Sequence, residues 1–88
     1  MSYPHYGLRA ETCDKIAEEL KRARAKFPGN KKLLAALFEE GGELARALLQ
    51  RAPRSEIEKE AIQVAAVAIR ILEEGDADFD GTEWSAEP

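Results

Sequence analysis

The sequence predicts an all-α fold: an N-terminal helix, then an antiparallel helical hairpin, assembling with further copies into an oligomeric helical bundle. Three observations carry this expectation. Apolar residues recur at three- and four-residue steps in three separate stretches, the period of an amphipathic helix. Turn-forming pairs, Pro28-Gly29 and Ala52-Pro53, divide those stretches. In the third stretch, Ala61 to Leu72, only Gln63 and Arg70 are polar. A helix apolar nearly all the way round has to be covered on more than one side, which one neighbour and a short first helix do not achieve. A homo-oligomer built from shared hairpins, a dimer or tetramer, follows.

The elements are expected in this order. Residues 1–9 hold Pro4 and Gly7 and read as an irregular arm; Tyr3, His5 and Tyr6 belong to a frayed terminus, with folding over a pocket as the alternative. From about Ala10 to Phe27 the stripe is Cys13, Ile16, Ala17, Leu20, Ala23 and Phe27, with Glu18, Glu19, Lys21, Arg22 and Arg24 on the solvated face. Asn30 is the expected N-cap of a second helix over about Lys31 to Arg51. Ser55 and Glu58 have capping-box spacing at the start of a third helix, which continues to about Glu74 and ends at Gly75 as the C′ residue. The short break between the second and third helices makes them antiparallel. One helical domain thus covers 10–75, and 76–88 is an acidic tail.

Composition narrows the function classes. The 88 residues fit one small domain, marginal as an isolated monomer. With 17 acidic and 13 basic residues the net charge is −4, unlike the basic surplus of a general nucleic-acid binder. One cysteine, Cys13, permits no internal disulfide and no multi-cysteine zinc site. It lies on the core-facing stripe, away from the lone His5, and reads as a packing residue rather than a nucleophile. No apolar run reaches the ~18 residues of a membrane span, and the N-terminus lacks a secretion signal's pattern. The expected setting is cytoplasmic, with no membrane and no nucleic acid as partner.

The chemistry concentrates in the middle of the second helix. Glu39, Glu40 and Glu43 stand in FEEGGEL, and Glu40 and Glu43 lie one turn apart beside the leucine stripe. On the third helix Glu60 and Gln63 repeat that offset. Counted from the hairpin break at ~1.5 Å per residue, Glu43 and Gln63 are each ~12 Å in and face one another. Three carboxylates and an amide then converge on one pocket, an oxygen donor set suited to Mg²⁺ or Mn²⁺. Gln63 has a second reading, a structural hydrogen bond across the bundle.

Glu39-Glu40-Gly41-Gly42-Glu43-Leu44, followed by Glu60-Ala61-Ile62-Gln63 on the next helix, resembles the EExxE and ExxD blocks of MazG-like nucleoside triphosphate pyrophosphohydrolases. The likeness spans about 30–74. It implies an oligomeric all-α bundle that cleaves a nucleoside triphosphate to the monophosphate and pyrophosphate with Mg²⁺. By the same likeness Glu40, Glu43 and Glu60 are metal ligands, and Glu39 is an outer or additional one. At the fourth position this chain has Gln63 where the family pattern has Asp, so the site carries one anion fewer. Charge then assigns the remaining roles. Glu39 or Glu43 takes the proton of the attacking water. Arg70, on the row of residues 60, 63 and 67, offsets phosphate charge, or alternatively pairs with Glu40 or Glu39. Lys32, Lys31 and Arg46 are further bases for the substrate. A catalytically silent oligomerisation or nucleotide-binding module of the same fold is the alternative, and Gln63 is the feature favouring it.

Asp76-Ala77-Asp78-Phe79-Asp80-Gly81, with Glu87 at the twelfth place, has EF-hand spacing. Glu83 stands at the usually apolar eighth place and no exiting helix follows, so the segment reads as a solvated acidic tail tacked down by Phe79 and Trp84.

Overall fold

A computed structural model of the chain describes residues 7–79. Among them the regular structure is three helices: α1 (Ala10–Lys26), α2 (Leu33–Leu49) and α3 (Arg54–Glu74). The periodic stretches thus became helices, with ends close to the expected ones.

The caps differ from expectation. Asn30 does not cap α2. Its side chain is buried and donates to the Glu74 carbonyl at 2.7 Å, and the N-cap position falls to Lys32 in the left-handed conformation, φ 64°. The orphan N–H groups at this helix start are met from outside the helix. Leu34 donates to Asp76 Oδ2 at 2.9 Å and Lys32 to Asp78 Oδ2 at 2.8 Å. The capping box of α3 does not form either. Pro53 is the N-cap, so Ser55 already lies inside the first turn, and Glu58 pairs with Lys15 of α1 at 2.6 Å instead. Gly75 does end α3 as expected, with φ 71° and its N–H donated to the Ile71 carbonyl.

α3 is the central element. It packs against α1 and α2, which do not pack against each other. Leu33, Ala47 and Ala66 are the buried apolar residues among those described. The apolar surface of α3 is only partly covered within one chain: Ala61, Ala68 and Leu72 remain exposed. On α2, Phe38 and Leu49 are 75% and 85% exposed.

Polar bonds tie the far end of the bundle together. Arg70, buried on α3, donates through Nη2 to the carbonyls of Phe27 and Gly29 at 2.9 and 2.6 Å, and its guanidinium faces Glu74. Arg24 of α1 reaches Glu74 and Glu73, each at 2.7 Å. The segment after α3 then folds back onto the start of α2, with the Ala77 N–H donated to the Asn30 carbonyl. Asp76 and Asp78 therefore act as helix caps rather than loop ligands; Asp80, Glu87 and Trp84 lie outside the described residues. Phe79 is exposed and does not pin this segment. Among the described residues no helix is long and apolar enough to cross a membrane.

Candidate functional site

Local sequence places the acids on one side of α2. Glu39, Glu40 and Glu43 occupy a single turn, and one oxygen from each lies within 4.8 Å of the others. Glu40 is half-buried because it borders the leucine row facing α3, whereas Glu39 and Glu43 open outward. From α3, Glu60 reaches this group, close enough for the Glu43 carboxylate to act on it.

That pairing shifts the expected register by one turn. The sequence places Gln63 opposite Glu43, counting from the Ala52-Pro53 break. The helices end at Leu49 and begin at Arg54, so Glu43 and Glu60 are each six residues from the turn and stand at equal depth. Gln63 lies deeper, half-buried, on the floor of the adjoining cleft.

The electrostatics follow from crowding. Burial, first, and then the charges of Glu43, Glu60, Glu39 and Glu19 push the Glu40 carboxyl above its ordinary range. Glu60 is pushed the same way, by burial and then by the neighbouring Glu43 carboxylate. One oxygen of each, Oε2 of Glu40 and Oε2 of Glu60, is buried without a hydrogen-bond partner. Such oxygens are costly unless a proton or a cation reaches them. The donor set is all oxygen, from two helices, and fits a hard divalent cation.

The backbones of α1 and α2 do not approach closely, and a cleft of about 660 Å³ separates them above α3. Its polarity is graded. Glu39, Glu40 and Glu19, the last paired with Arg22, lie at one end, and Lys26, Lys31, Lys32 and Arg70 at the other. Between them the floor is small and apolar, with Ala36, Ala66 and Val67. Phe27, 58% exposed, stands at the basic rim with the Lys26 ammonium 5.4 Å from its ring centre.

The predicted substrate bases divide. Lys32 is exposed on the rim. Arg70 reaches the cleft wall, but its partner is Glu74, not Glu40 or Glu39, because the α1–α2 connection and the end of α3 surround its head. Arg46 is exposed and does not line the cleft.

Glu19 was missed by sequence reasoning, which assigned it to the solvated face of α1. Its side chain is only 16% exposed and receives a two-pronged bond from Arg22, Nε to Oε1 at 2.9 Å and Nη2 to Oε2 at 2.5 Å. The signal was available: residues 16, 19 and 23 follow the same three–four step as the apolar row. Comparison with family models, with curated proteins and with solved structures finds no match to this chain.

Proposed function

We propose that the protein is a Mg²⁺-dependent nucleoside triphosphate pyrophosphohydrolase of the MazG-like kind, releasing pyrophosphate and a nucleoside monophosphate. The observation supporting this most is the pair of buried, unpartnered oxygens of Glu40 and Glu60, beside Glu43 and next to a cleft of nucleotide size. In this reading Glu40, Glu43 and Glu60 hold the cation, and the Gln63 amide oxygen serves as a neutral donor. The cation supplies charge neutralisation of the phosphates and a lowered pKa for a bound water. Glu39, exposed at the edge of the group, would serve as the base for the attacking water, with Glu43 as the alternative. Lys32 draws the anionic substrate into the cleft, and Arg70 adds positive charge at its wall while holding the rim. A cytoplasmic setting, where such substrates and Mg²⁺ are abundant, fits the same reading.

A homo-oligomer, dimer or tetramer, belongs to the proposal. Phe38, Gly42, Ala45 and Leu49 form an exposed row on α2 without charge. Gly41 and Gly42 sit mid-helix, yet a Cβ on either meets nothing within 4 Å. Each glycine costs a helix interior roughly 0.5–1 kcal/mol relative to alanine. Nothing among the described residues requires that cost, and the close approach of a second copy would account for it. Gln63 supports a second reading, a silent oligomerisation or nucleotide-binding module, because it adds no charge where charge is needed.

The deciding experiment is pyrophosphate release from a panel of nucleoside triphosphates with Mg²⁺ or Mn²⁺, on the wild type and Glu43→Ala. Release by the wild type and its loss in the variant support the enzyme. No release from any substrate, together with no metal binding by calorimetry, overturns it.

A further inference from the structure

The exposed face of α2 is self-complementary about Gly42. Leu49 lies seven residues after this glycine and Ala35 seven before, both exposed. At roughly 100° per residue, Phe38, four before, and Ala45, three after, share one flank of the row. Glu39, three before, and Arg46, four after, share the other flank, and both are exposed. Each apolar couple thus sets a large side chain against a small one, and the polar couple sets an acid against a base. Among the described residues no ion pair within the chain engages Glu39 or Arg46.

A two-fold axis level with Gly42 turns this pattern into a contact. An antiparallel copy brings residues before the glycine against residues after it, at one height and on one flank. Gly42 then meets Gly42 of the partner subunit, and Phe38 covers the partner's Ala45. Leu49 covers the partner's Ala35, and Glu39 faces the partner's Arg46. The open space where a Cβ of Gly42 would stand lets the axes approach at the short end of the ~8–10 Å range. A parallel copy instead sets Glu39 beside its own counterpart and Arg46 beside its own, like charge against like.

We propose that α2 is the homotypic interface, two copies crossing antiparallel at Gly42 with the Glu39–Arg46 contact made twice. The proposal rests on the oligomer of the reading above and names the face and the orientation that form it. Arg46, which does not line its own cleft, thereby acts on the next subunit. Its guanidinium stabilises the ionised Glu39, which leaves Glu43 as the stronger base in the assembly.

The test reads the mass of the full chain by sedimentation at micromolar concentration, with helix content checked by circular dichroism. Glu39→Arg and Arg46→Glu each set like charges together at both contacts and are expected to halve the wild-type mass. Mixing the two variants pairs opposite charges again at both contacts, so the mixture is expected to recover the wild-type mass. Both substitutions in one chain recover it as well. Glu18→Arg, an equal change of charge at an exposed site of α1, leaves the mass unchanged. If a charge variant loses helix content, Ala45→Glu, which sets a carboxylate beneath the partner's Phe38, replaces it and must also halve the mass. An associated wild type whose mass neither variant lowers overturns this interface while the oligomer of the proposed function stands. Variants that dissociate but do not recombine on mixing overturn the antiparallel register. A wild-type monomer overturns the association and this inference together, and leaves pyrophosphate release to decide the enzyme separately.

Discussion

The carboxylate of Asp76 accepts the Leu34 backbone N–H at 2.9 Å across 42 positions of sequence, capping α2 from the far side of α3. A residue read as part of an acidic tail therefore does the work normally given to the residue just before a helix. Because Asp76 is 6% exposed, water does not readily replace it.

Removing this cap is expected to cost as much as removing a local one. Asp76→Ala should destabilise the fold by about 1–2 kcal/mol in urea denaturation, and Asp76→Asn, which keeps an acceptor, by less. Equal stability of Asp76→Ala and wild type would show that the contact contributes nothing.

Arg70 gives a second stability prediction. Its side chain is 5% exposed, and that of Glu74 is 2% exposed. Arg70→Met strips two carbonyls and a buried acid of a donor and is expected to cost at least ~3 kcal/mol, a large part of a small domain's total. Arg24 still pairs with Glu74, so Glu74→Gln in the same chain breaks a second ion pair and should recover little of the loss. A loss below 1 kcal/mol in urea would be incompatible with a structural staple.

Acid titration tests the carboxylate cluster. Glu40 and Glu60 have folded-state pKa values above their ordinary ones, so the folded chain retains protons that the unfolded chain releases. Stability from these groups is therefore present below about pH 4 and is lost as pH rises through their raised values. Glu58 works in the opposite sense, at lower pH, because Lys15 holds it down. The informative quantity is the difference between wild type and Glu40→Gln. Glu40→Gln should melt higher at neutral pH and lose the decline on ionisation, while Mn²⁺ should raise the wild-type Tm most on the high-pH side. Parallel profiles for the two proteins would contradict the crowding.

The proposed association is testable at the helix glycines. Space alone permits alanine at 41 and 42, and in an isolated chain Gly41→Ala with Gly42→Ala should stabilise by roughly 1–2 kcal/mol in total. At an interface that needs close approach the same change should dissociate the oligomer, as should Phe38→Glu. Sedimentation of wild type and variants reads the difference directly. A wild-type monomer at micromolar concentration would refute the association.

The helices were legible because each carries an uninterrupted apolar period bounded by Pro or Gly, as at Pro28-Gly29 and Ala52-Pro53. Their caps were not. Asn30 and Ser55 are good cap residues by type, but capping depends on what is nearby in space, and the returning segment at Asp76 and Asp78 displaced Asn30 from that role. Glu39, Glu40 and Glu43 were legible as one turn of a helix. The opposition of Glu43 to Glu60 required knowing that four residues, 50–53, lie outside both helices. Glu19 was hidden for another reason: a charged residue on an apolar row is read as solvated until an arginine one turn away is seen to turn it inward.

The lack of packing between α1 and α2 also bears on the order in which the molecule is made. The α2–α3 hairpin closes over a short connection and pays little loop entropy, so it is the natural folding nucleus. Docking of α1 on α3, and return of the 75–79 segment to the start of α2, join residues far apart in sequence and are expected later. Substitutions in α1 should then speed unfolding more than they slow folding. The cleft has no second wall until α1 arrives, so among the described residues it is the last feature to form and the first to be lost.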